Sequence, residues 1–265
     1  MTADLPLWIQ IGVKVLIAAT VVVTASVMAE KSGPFIGGLI LALPVSVGPA
    51  YAMLALQASP AFVAQSGLGS LVSNVMVGAY VLTYLLLARR VPLLLSVGAA
   101  VAVWLAGVAL LKLAALSPLA LVLLNVAAFA VFIPLSRGAL SSTPPPLRVR
   151  RWFELPLRAL LVGTLVASTL TVSALIGPAW TGIAMAFPIT LTSSILIMQP
   201  AIGAAATAAV MASVVRGLAP FALAYWLIYA LALPLGVWPA LGLALLSILV
   251  WVGALYWRGA RRRGH

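Results

Sequence analysis

Long apolar runs alternate along the chain with short interruptions of glycine, proline and charged residues. Nine runs are long enough for a helix to cross a bilayer, which takes about 20 apolar residues. These predicted spans, numbered in chain order, cover residues 9–29, 34–56, 68–88, 93–113, 116–136, 155–176, 179–199, 217–235 and 238–257. Ser117-Pro118 is a helix-start signal for the fifth span, and the Ala-rich stretch 201–216 fits either a half-helix or an extension of the eighth. The pattern predicts an all-α, polytopic membrane helix bundle.

Composition supports the same class of protein. Of 265 residues, 65% are apolar and 7% are charged, whereas a soluble domain has about 25% charged residues. The chain has no cysteine, one histidine (His265) and three acidic residues, Asp4, Glu30 and Glu154. Such a set disfavours disulfides, metal sites and acid/base catalysis. We therefore expect no enzyme activity, no metal and no cofactor, and we expect the lipid bilayer as the surrounding partner.

The distribution of basic residues predicts the orientation. With nine spans, twelve of the fifteen Lys and Arg residues fall on one side, opposite Lys14 and Lys112. The twelve are Lys31, Arg89, Arg90, Arg137, Arg148, Arg150, Arg151, Arg158, Arg258, Arg261, Arg262 and Arg263. Arg216 joins them if 201–216 lies on the same face. An excess of Lys and Arg marks the cytoplasmic side, so the net charge of +12 indicates membrane orientation rather than nucleic-acid binding. We predict a multi-pass protein of the bacterial inner membrane, with its N-terminus outside and its C-terminus in the cytoplasm.

An internal repeat relates the two halves of the chain. Residues 31–46 (KSGPFIGGLILALPVS) align without gaps with residues 175–190 (LIGPAWTGIAMAFPIT), which pairs Gly33 with Gly177 and Pro44 with Pro188. A repeat that begins five spans later runs through the membrane in the opposite direction, so the alignment predicts a 4+1+4 inverted repeat. Chance matching of Gly and Pro in an apolar chain is the alternative. The predicted units are a first four-helix repeat, a connector helix with a basic, proline-rich linker, and a second four-helix repeat, covering residues 1–115, 116–152 and 153–265.

The first block resembles a known family. The sequence KSGPFIGGLILALP, together with a later span ending in Arg89-Arg90-Val91-Pro92, resembles the GlpM-like small bacterial inner-membrane proteins. Those are single four-helix units, so the resemblance implies a fused, duplicated form; it covers residues 14–113 best and 158–257 more loosely. The plan is also similar to the drug/metabolite transporters, in which four-helix units assemble in opposite orientations. Small multidrug exporters of that group carry a glutamate in the first helix where this chain has Lys14, which argues against a cation/proton antiporter.

Two prolines mark the candidate binding site. Pro44 and Pro188 lie about ten residues into the second and seventh spans, near mid-membrane. A proline inside a helix removes a donor and frees a carbonyl, and non-helical backbone at that depth is tolerated only where it is buried in protein or lines a cavity. The candidate substrate-binding residues are these prolines and their polar neighbours: Pro44, Ser46, Tyr51, Pro188, Thr190, Thr192, Ser193 and Ser194. The alternative is that both prolines are simple kinks packed by Ser and Thr.

Three basic residues are candidate gates, Lys14, Arg158 and Arg216. Lys14 and Arg158 occupy equivalent repeat positions and would favour an anionic substrate at the two mouths. Interfacial snorkelling is the alternative for this pair, and a cytoplasmic anchor is the alternative for Arg216.

Other polar residues within the predicted spans are assigned to packing, with cavity lining as the alternative for the tyrosines. The pairs Tyr80/Tyr84 and Tyr225/Tyr229 each share one helix face because they are four residues apart. Asn74 and Asn125 are expected to form hydrogen bonds between helices. Glycines such as Gly177 and Gly182 allow helices to approach closely.

The sequence favours a small secondary transporter or exporter of a neutral or anionic solute, with a midplane site between the second and seventh spans. A non-transporting membrane subunit of a polysaccharide- or lipid-synthesis assembly is the alternative. The substrate, the coupling ion and the oligomeric state, including a homodimer, stay open.

Overall fold

A computed structural model describes residues 47–141 and 154–261, together with single helical positions at 9, 12, 16, 20 and 24. Every regular element within these residues is helical. The α-helices are α1 Val47–Ala55, α2 Pro60–Leu87, α3 Leu93–Leu113, α4 Pro118–Ser136, α5 Glu154–Met185, α6 Ile189–Leu218, α7 Phe221–Leu231 and α8 Val237–Arg261. A 3₁₀ turn, Arg137–Ser141, follows α4.

The described residues contain five stretches long and apolar enough to cross a membrane. Four of them are α2, α3, α4 with the residues that follow it, and α8 up to Trp257. The fifth, Ala159–Leu231, has 73 residues and would be ~110 Å long as one straight helix. It bends instead at Gly177 (φ 76°) and Gly203 (φ 83°), in the left-handed region that glycine adopts without a steric penalty. The chain is a helical, multi-pass membrane protein.

Helix α2 lies at the centre of the bundle. Of its most apolar stretch, 61% is buried inside the protein, against 22–28% for α3, α4 and α8. It packs against α3, α4, α5, α6 and α7. The outer helices instead present large apolar side chains, and Leu94, Leu110 and Leu123 are each more than half exposed. This distribution suits lipid-facing outer helices around one buried helix.

Contacts with α2 give the direction of the two segments around Gly203. Before that glycine, the carbonyl of Gly182 bonds to Ser70 and the side chain of Gln199 bonds to Tyr84, so 178–202 runs parallel to α2. After it, Thr207 contacts Tyr84, whereas Tyr225 lies against Gly67. Segment 204–231 therefore runs antiparallel to α2, and the chain reverses at Gly203.

Glycine permits the closest of these contacts. A Cβ atom at Gly182 would collide with the carbonyl oxygen of Ser66, and one at Gly69 would collide with the carbonyl oxygen of Ala179. The predicted close approach is thus present at Gly182. At Gly177 the prediction of a packing glycine is wrong, because this residue bends α5 and has open space around its Cα.

Several predicted boundaries match the structure and two do not. The fourth span coincides with α3, and Ser117 caps α4 by accepting a hydrogen bond from the Ala120 N–H at 3.3 Å. The third span begins at Pro60 rather than at 68, because Ser59 caps α2 and accepts from the Phe62 N–H. The eighth span begins before 217, as one of the two alternatives for the Ala-rich stretch allowed: this stretch forms most of 204–218, and α7 follows directly after Ala219-Pro220.

The predicted asparagine contact between helices is confirmed. Asn74 of α2 donates to Oδ1 of Asn125 on α4 at 2.9 Å, and Asn125 donates to the carbonyls of Leu71 and Leu121. Both side chains are buried. Because lipid offers no competing partners, such bonds tie helices together inside a membrane.

Candidate functional site

The central feature of the site is an interruption between α5 and α6. The helix stops at Met185, residues 186–188 are not helical, and a new helix begins at Ile189. Pro188 has no N–H to donate and serves as the N-cap of α6, without a side-chain cap bond. The sequence left two interpretations open at this position, non-helical backbone at a binding site and a simple kink inside one helix. The structure has non-helical backbone here, because residues 186–188 separate two helices.

The interruption lies near the middle of the segment between the bends at Gly177 and Gly203. Ten residues separate Gly177 from Phe187, and fourteen separate Ile189 from Gly203. At ~1.5 Å per residue these distances are ~15 Å and ~21 Å, which compares with a hydrocarbon core of ~30 Å. The segment is therefore long enough to cross a bilayer, with the interruption well away from both of its ends.

The carbonyl groups around the interruption are occupied by three short hydrogen-bond chains. In each, an aromatic side chain donates to a hydroxyl, and that hydroxyl donates to a backbone carbonyl. Tyr51 donates to Ser70, which donates to Gly182 O at 2.9 Å. The other two chains run from Trp104 through Ser73 to Ala186 O, and from Tyr80 through Thr192 to Pro188 O.

These chains change the expected chemistry of the site. The sequence suggested that freed carbonyls could attract a substrate, but Gly182 O, Ala186 O and Pro188 O each already accept a hydroxyl. A ligand that needs acceptors, such as a cation, therefore finds these three oxygens already engaged.

Hydroxyl groups follow Pro188 along the first turns of α6, as predicted. Ser193 and Ser194 both donate to the carbonyl of Thr190, at 3.0 and 2.6 Å. Thr190 differs from them: its Oγ1 is buried and has no hydrogen-bond partner. Tyr51, another predicted site residue, lies in α1 and contacts α2 at Ser70. Its ring also approaches that of Tyr225, with 6.4 Å between the centroids.

Four candidate positions cannot be placed in this geometry. Lys14, Pro44 and Ser46 fall outside the described residues, and the side chain of Arg158 does so as well. They stay predictions.

Arg216 lies near the middle of the 204–231 segment. It is thirteen residues after Gly203 and fifteen before Leu231, so it is ~20 Å into a segment ~42 Å long. The residue is partly buried, and its carbonyl accepts a hydrogen bond from Trp251 Nε1 at 3.0 Å. The two interpretations of Arg216, a gate and a cytoplasmic anchor, stay predictions.

Sequence reasoning missed several residues that hold the site. Ser70 and Gln199 were not singled out, and Tyr80 and Tyr84 were assigned to packing, yet Tyr80 bonds to Thr192 and Tyr84 to Gln199. One signal was available. The polar residues of α2 that contact the 178–202 segment recur at helical spacing, at positions 70, 73, 80 and 84, and so share one face.

A surface pocket of about 160 Å³ adjoins the start of the 178–185 segment. Its lining includes Gln65, Gly69, Lys112 and Ala179. The ammonium group of Lys112 lies 5.7 Å from the ring centroid of Trp180, within the range of a cation–π contact. Within the described part of the chain, no three residues of the metal-binding types lie together.

Comparison with known proteins gives no match, whether to protein-family models, to curated protein sequences or to solved structures.

Proposed function

We propose that this protein is a secondary transporter or exporter of a small neutral or anionic solute, with its binding site at the interruption between α5 and α6. The observation that carries the proposal is a helix broken near mid-crossing, followed by four hydroxyl residues within its first two turns. Broken helices with half-helix ends at the midplane are the usual binding element of secondary transporters. A helix that only anchors or packs has no need to give up hydrogen bonds at that depth.

The proposed architecture is nine crossings in a 4+1+4 inverted repeat. Gly33 and Gly177 are 144 residues apart, and the same shift moves α2 onto 204–231, which begins directly after the bend at Gly203. It also moves α3 onto 237–257, and α8 begins at Val237. Agreement at two independent helix starts supports a true repeat over chance matching of glycine and proline.

Two tryptophan contacts are consistent with this repeat. Trp104 of α3 donates to Ser73 of α2, and Trp251 of α8 donates to the backbone of Arg216 in 204–218. In both halves, the last helix thus bonds near the middle of the helical segment before it. The bend at Gly203 and the reversal that follows it support reading Ala159–Leu231 as three crossings. Together with the first span and α1, this gives the nine-crossing count with N-terminus out and C-terminus in.

Arg216 favours a neutral or anionic solute over a cation. A positive charge inside a low-dielectric region repels cations and attracts anions much more strongly than it does in water. The pocket beside Lys112 adds a second positive charge at the end of the bundle where the 178–185 segment begins. Lys14 and Arg158 would extend the same preference to the mouths.

The test is solute flux in proteoliposomes that contain only the purified protein, with a panel of neutral and anionic solutes. We expect uptake of at least one solute above that of protein-free vesicles. Pro188→Ala should lower it several-fold, because an alanine N–H lets the helix continue through the interruption, and Ser194→Ala should lower it as well. Thr171→Val is the matched control: this hydroxyl bonds to Ala167 O within α5, away from the interruption. Absence of flux for the whole panel would favour the non-transporting membrane subunit.

A further inference from the structure

The first turn of α6 exposes donors that the interruption leaves without acceptors. The Ile189 N–H bonds to Phe187 O at 2.7 Å, and the Thr192 N–H bonds to Pro188 O at 2.8 Å. Between them, the N–H groups of Thr190 and Leu191 have no backbone acceptor among the described residues. The side chain of the N-cap, Pro188, cannot supply one. Two adjacent N–H groups at the start of α6 therefore have no acceptor in the part of the chain that the structure describes.

The hydroxyl of Thr190 is a third donor in the same turn. Only 7% of this residue is exposed, and its Oγ1 has no hydrogen-bond partner. A threonine in a helix ordinarily donates to the carbonyl four residues earlier, which here is Ala186 O. That oxygen instead accepts from Ser73 at 3.2 Å. The contrast with Thr192, Ser193 and Ser194, which all donate to carbonyls, makes Thr190 the exception in its turn.

Three donors without acceptors indicate that a ligand bound at the first turn of α6 would present a hydrogen-bond acceptor. Unpaired polar groups are expensive in a dry interior, and the N-terminus of a helix carries a partial positive charge that favours anionic oxygen. None of the side chains that the structure describes is an aspartate or a glutamate. The described protein therefore offers no carboxylate for this position.

We infer that the N-terminal turn of α6 binds an anionic oxygen of the transported solute, through the N–H groups of Thr190 and Leu191 and the hydroxyl of Thr190. This rests on the proposed transport function and narrows it, because it selects anions from the neutral and anionic solutes. Carboxylates and inorganic oxyanions share the required acceptor chemistry, and the choice between them is left to the experiment.

Trp104 provides a natural reporter for this turn. Its ring packs edge-on against Phe187 with centroids 5.0 Å apart, and its Nε1 bonds to the Ser73 hydroxyl that holds Ala186 O. A ligand that settles beside Thr190 should disturb this arrangement and change the fluorescence of Trp104. The chain has eight tryptophans, so the Trp104→Phe protein identifies the part of the signal that arises at this position.

The experiment is a fluorescence titration of the purified protein in nanodiscs of neutral phosphatidylcholine. The probes are acetate, inorganic phosphate and, as a neutral match for acetate, acetamide. We expect a saturable change with acetate or phosphate, none with acetamide, and loss of the change in Trp104→Phe. Whichever anion binds more tightly identifies the carboxylate or the oxyanion as the preferred class. Equal responses to acetate and acetamide would overturn the inference without the need for any variant at Thr190.

Variants at Thr190 test the hydroxyl itself. Thr190→Val keeps the side-chain shape and should weaken anion binding roughly tenfold, the effect of one lost hydrogen bond to a charged group. Thr190→Ser keeps the hydroxyl and should bind like the original chain, and Thr171→Val should be unaffected. Unchanged binding in Thr190→Val would also overturn the inference. Flux without anion binding would contradict this site alone, whereas anion binding without flux would contradict the proposed transport.

Discussion

At the scale of single residues, the polar side chains of α2 determine which groups of the interruption stay available. The hydroxyl groups of Ser70 and Ser73 each donate a hydrogen bond to a carbonyl of the 178–188 region. Each also accepts a hydrogen bond from an aromatic side chain. Two carbonyl oxygens of this region, those of Gly182 and Ala186, are thereby hydrogen-bonded to hydroxyl donors of α2. The N–H groups of Thr190 and Leu191 and the hydroxyl of Thr190 have no acceptor among the described residues, and the anion binding that we infer rests on these donors.

The asparagine pair provides a residue-scale prediction about stability. Asn125→Ala should lower the free energy of unfolding of the purified protein by about 1 kcal/mol. The reason is that Asn74 loses its acceptor, and the carbonyls of Leu71 and Leu121 lose a donor. Asn74→Ala should cost a similar amount. The double variant should cost less than the sum of the two, since both remove the same bond. Unfolding followed by circular dichroism measures all three, and strict additivity would contradict an energetic link between the two side chains.

How much of the site could be predicted varies from residue to residue. The hydroxyls at 190–194 and the interruption at Pro188 are visible in the sequence, because proline and its neighbours act locally. Which hydroxyl remains unpaired is not visible. It depends on the backbone path of residues 186–188, which are not helical, and on contacts such as that of Ser73 with Ala186, between residues 113 positions apart.

At the scale of elements, the close crossing of α2 with the 178–185 segment holds the interruption in place. Gly182→Ala would put a Cβ atom into the carbonyl oxygen of Ser66, and we expect a loss of about 1–3 kcal/mol, as for other overpacked contacts. Gly98→Ala is the matched control, since nothing lies within 4 Å of a Cβ added in α3; it should be neutral or slightly stabilising because alanine favours helix. Equal unfolding temperatures for the two variants would exclude a tight crossing at Gly182.

Element boundaries follow the sequence wherever a capping signal is used. Ser117-Pro118 places α4 correctly, and the same kind of signal at Ser59-Pro60 starts α2, eight residues before the predicted third span. At the eighth span the sequence left two alternatives open for the Ala-rich stretch 201–216. Alanine-rich sequence carries little hydropathy contrast, so only the bend at Gly203 and the contacts with α2 reveal that 204–218 belongs to a crossing. Placing Arg216 near mid-depth depends entirely on that boundary.

At the scale of the whole molecule, the number of crossings in Ala159–Leu231 determines where the residues within this stretch lie. One crossing would put residues 175 and 201 within the same span, whereas bends at Gly177 and Gly203 put them at opposite ends of one segment. One crossing and three crossings both bring the C-terminal Arg residues to the same side as Arg89, Arg90 and Arg137, as the positive-inside rule requires. The charge distribution therefore favours an odd number of crossings, and the two bends favour three over one.

Single cysteines can test this topology directly, because the chain has none of its own. Leu175→Cys and Leu235→Cys should react with a membrane-impermeant maleimide added outside intact cells, since both leucines are more than half exposed and lie at the Lys112 end of the bundle. Ala201→Cys, together with Arg90→Cys as the cytoplasmic control, should react only after the membrane is opened. Labelling of Leu175→Cys and Leu235→Cys from opposite sides would contradict the two reversals at Gly177 and Gly203. It would also remove the reason for placing Pro188 and Arg216 at mid-depth, because both depths are measured from those bends.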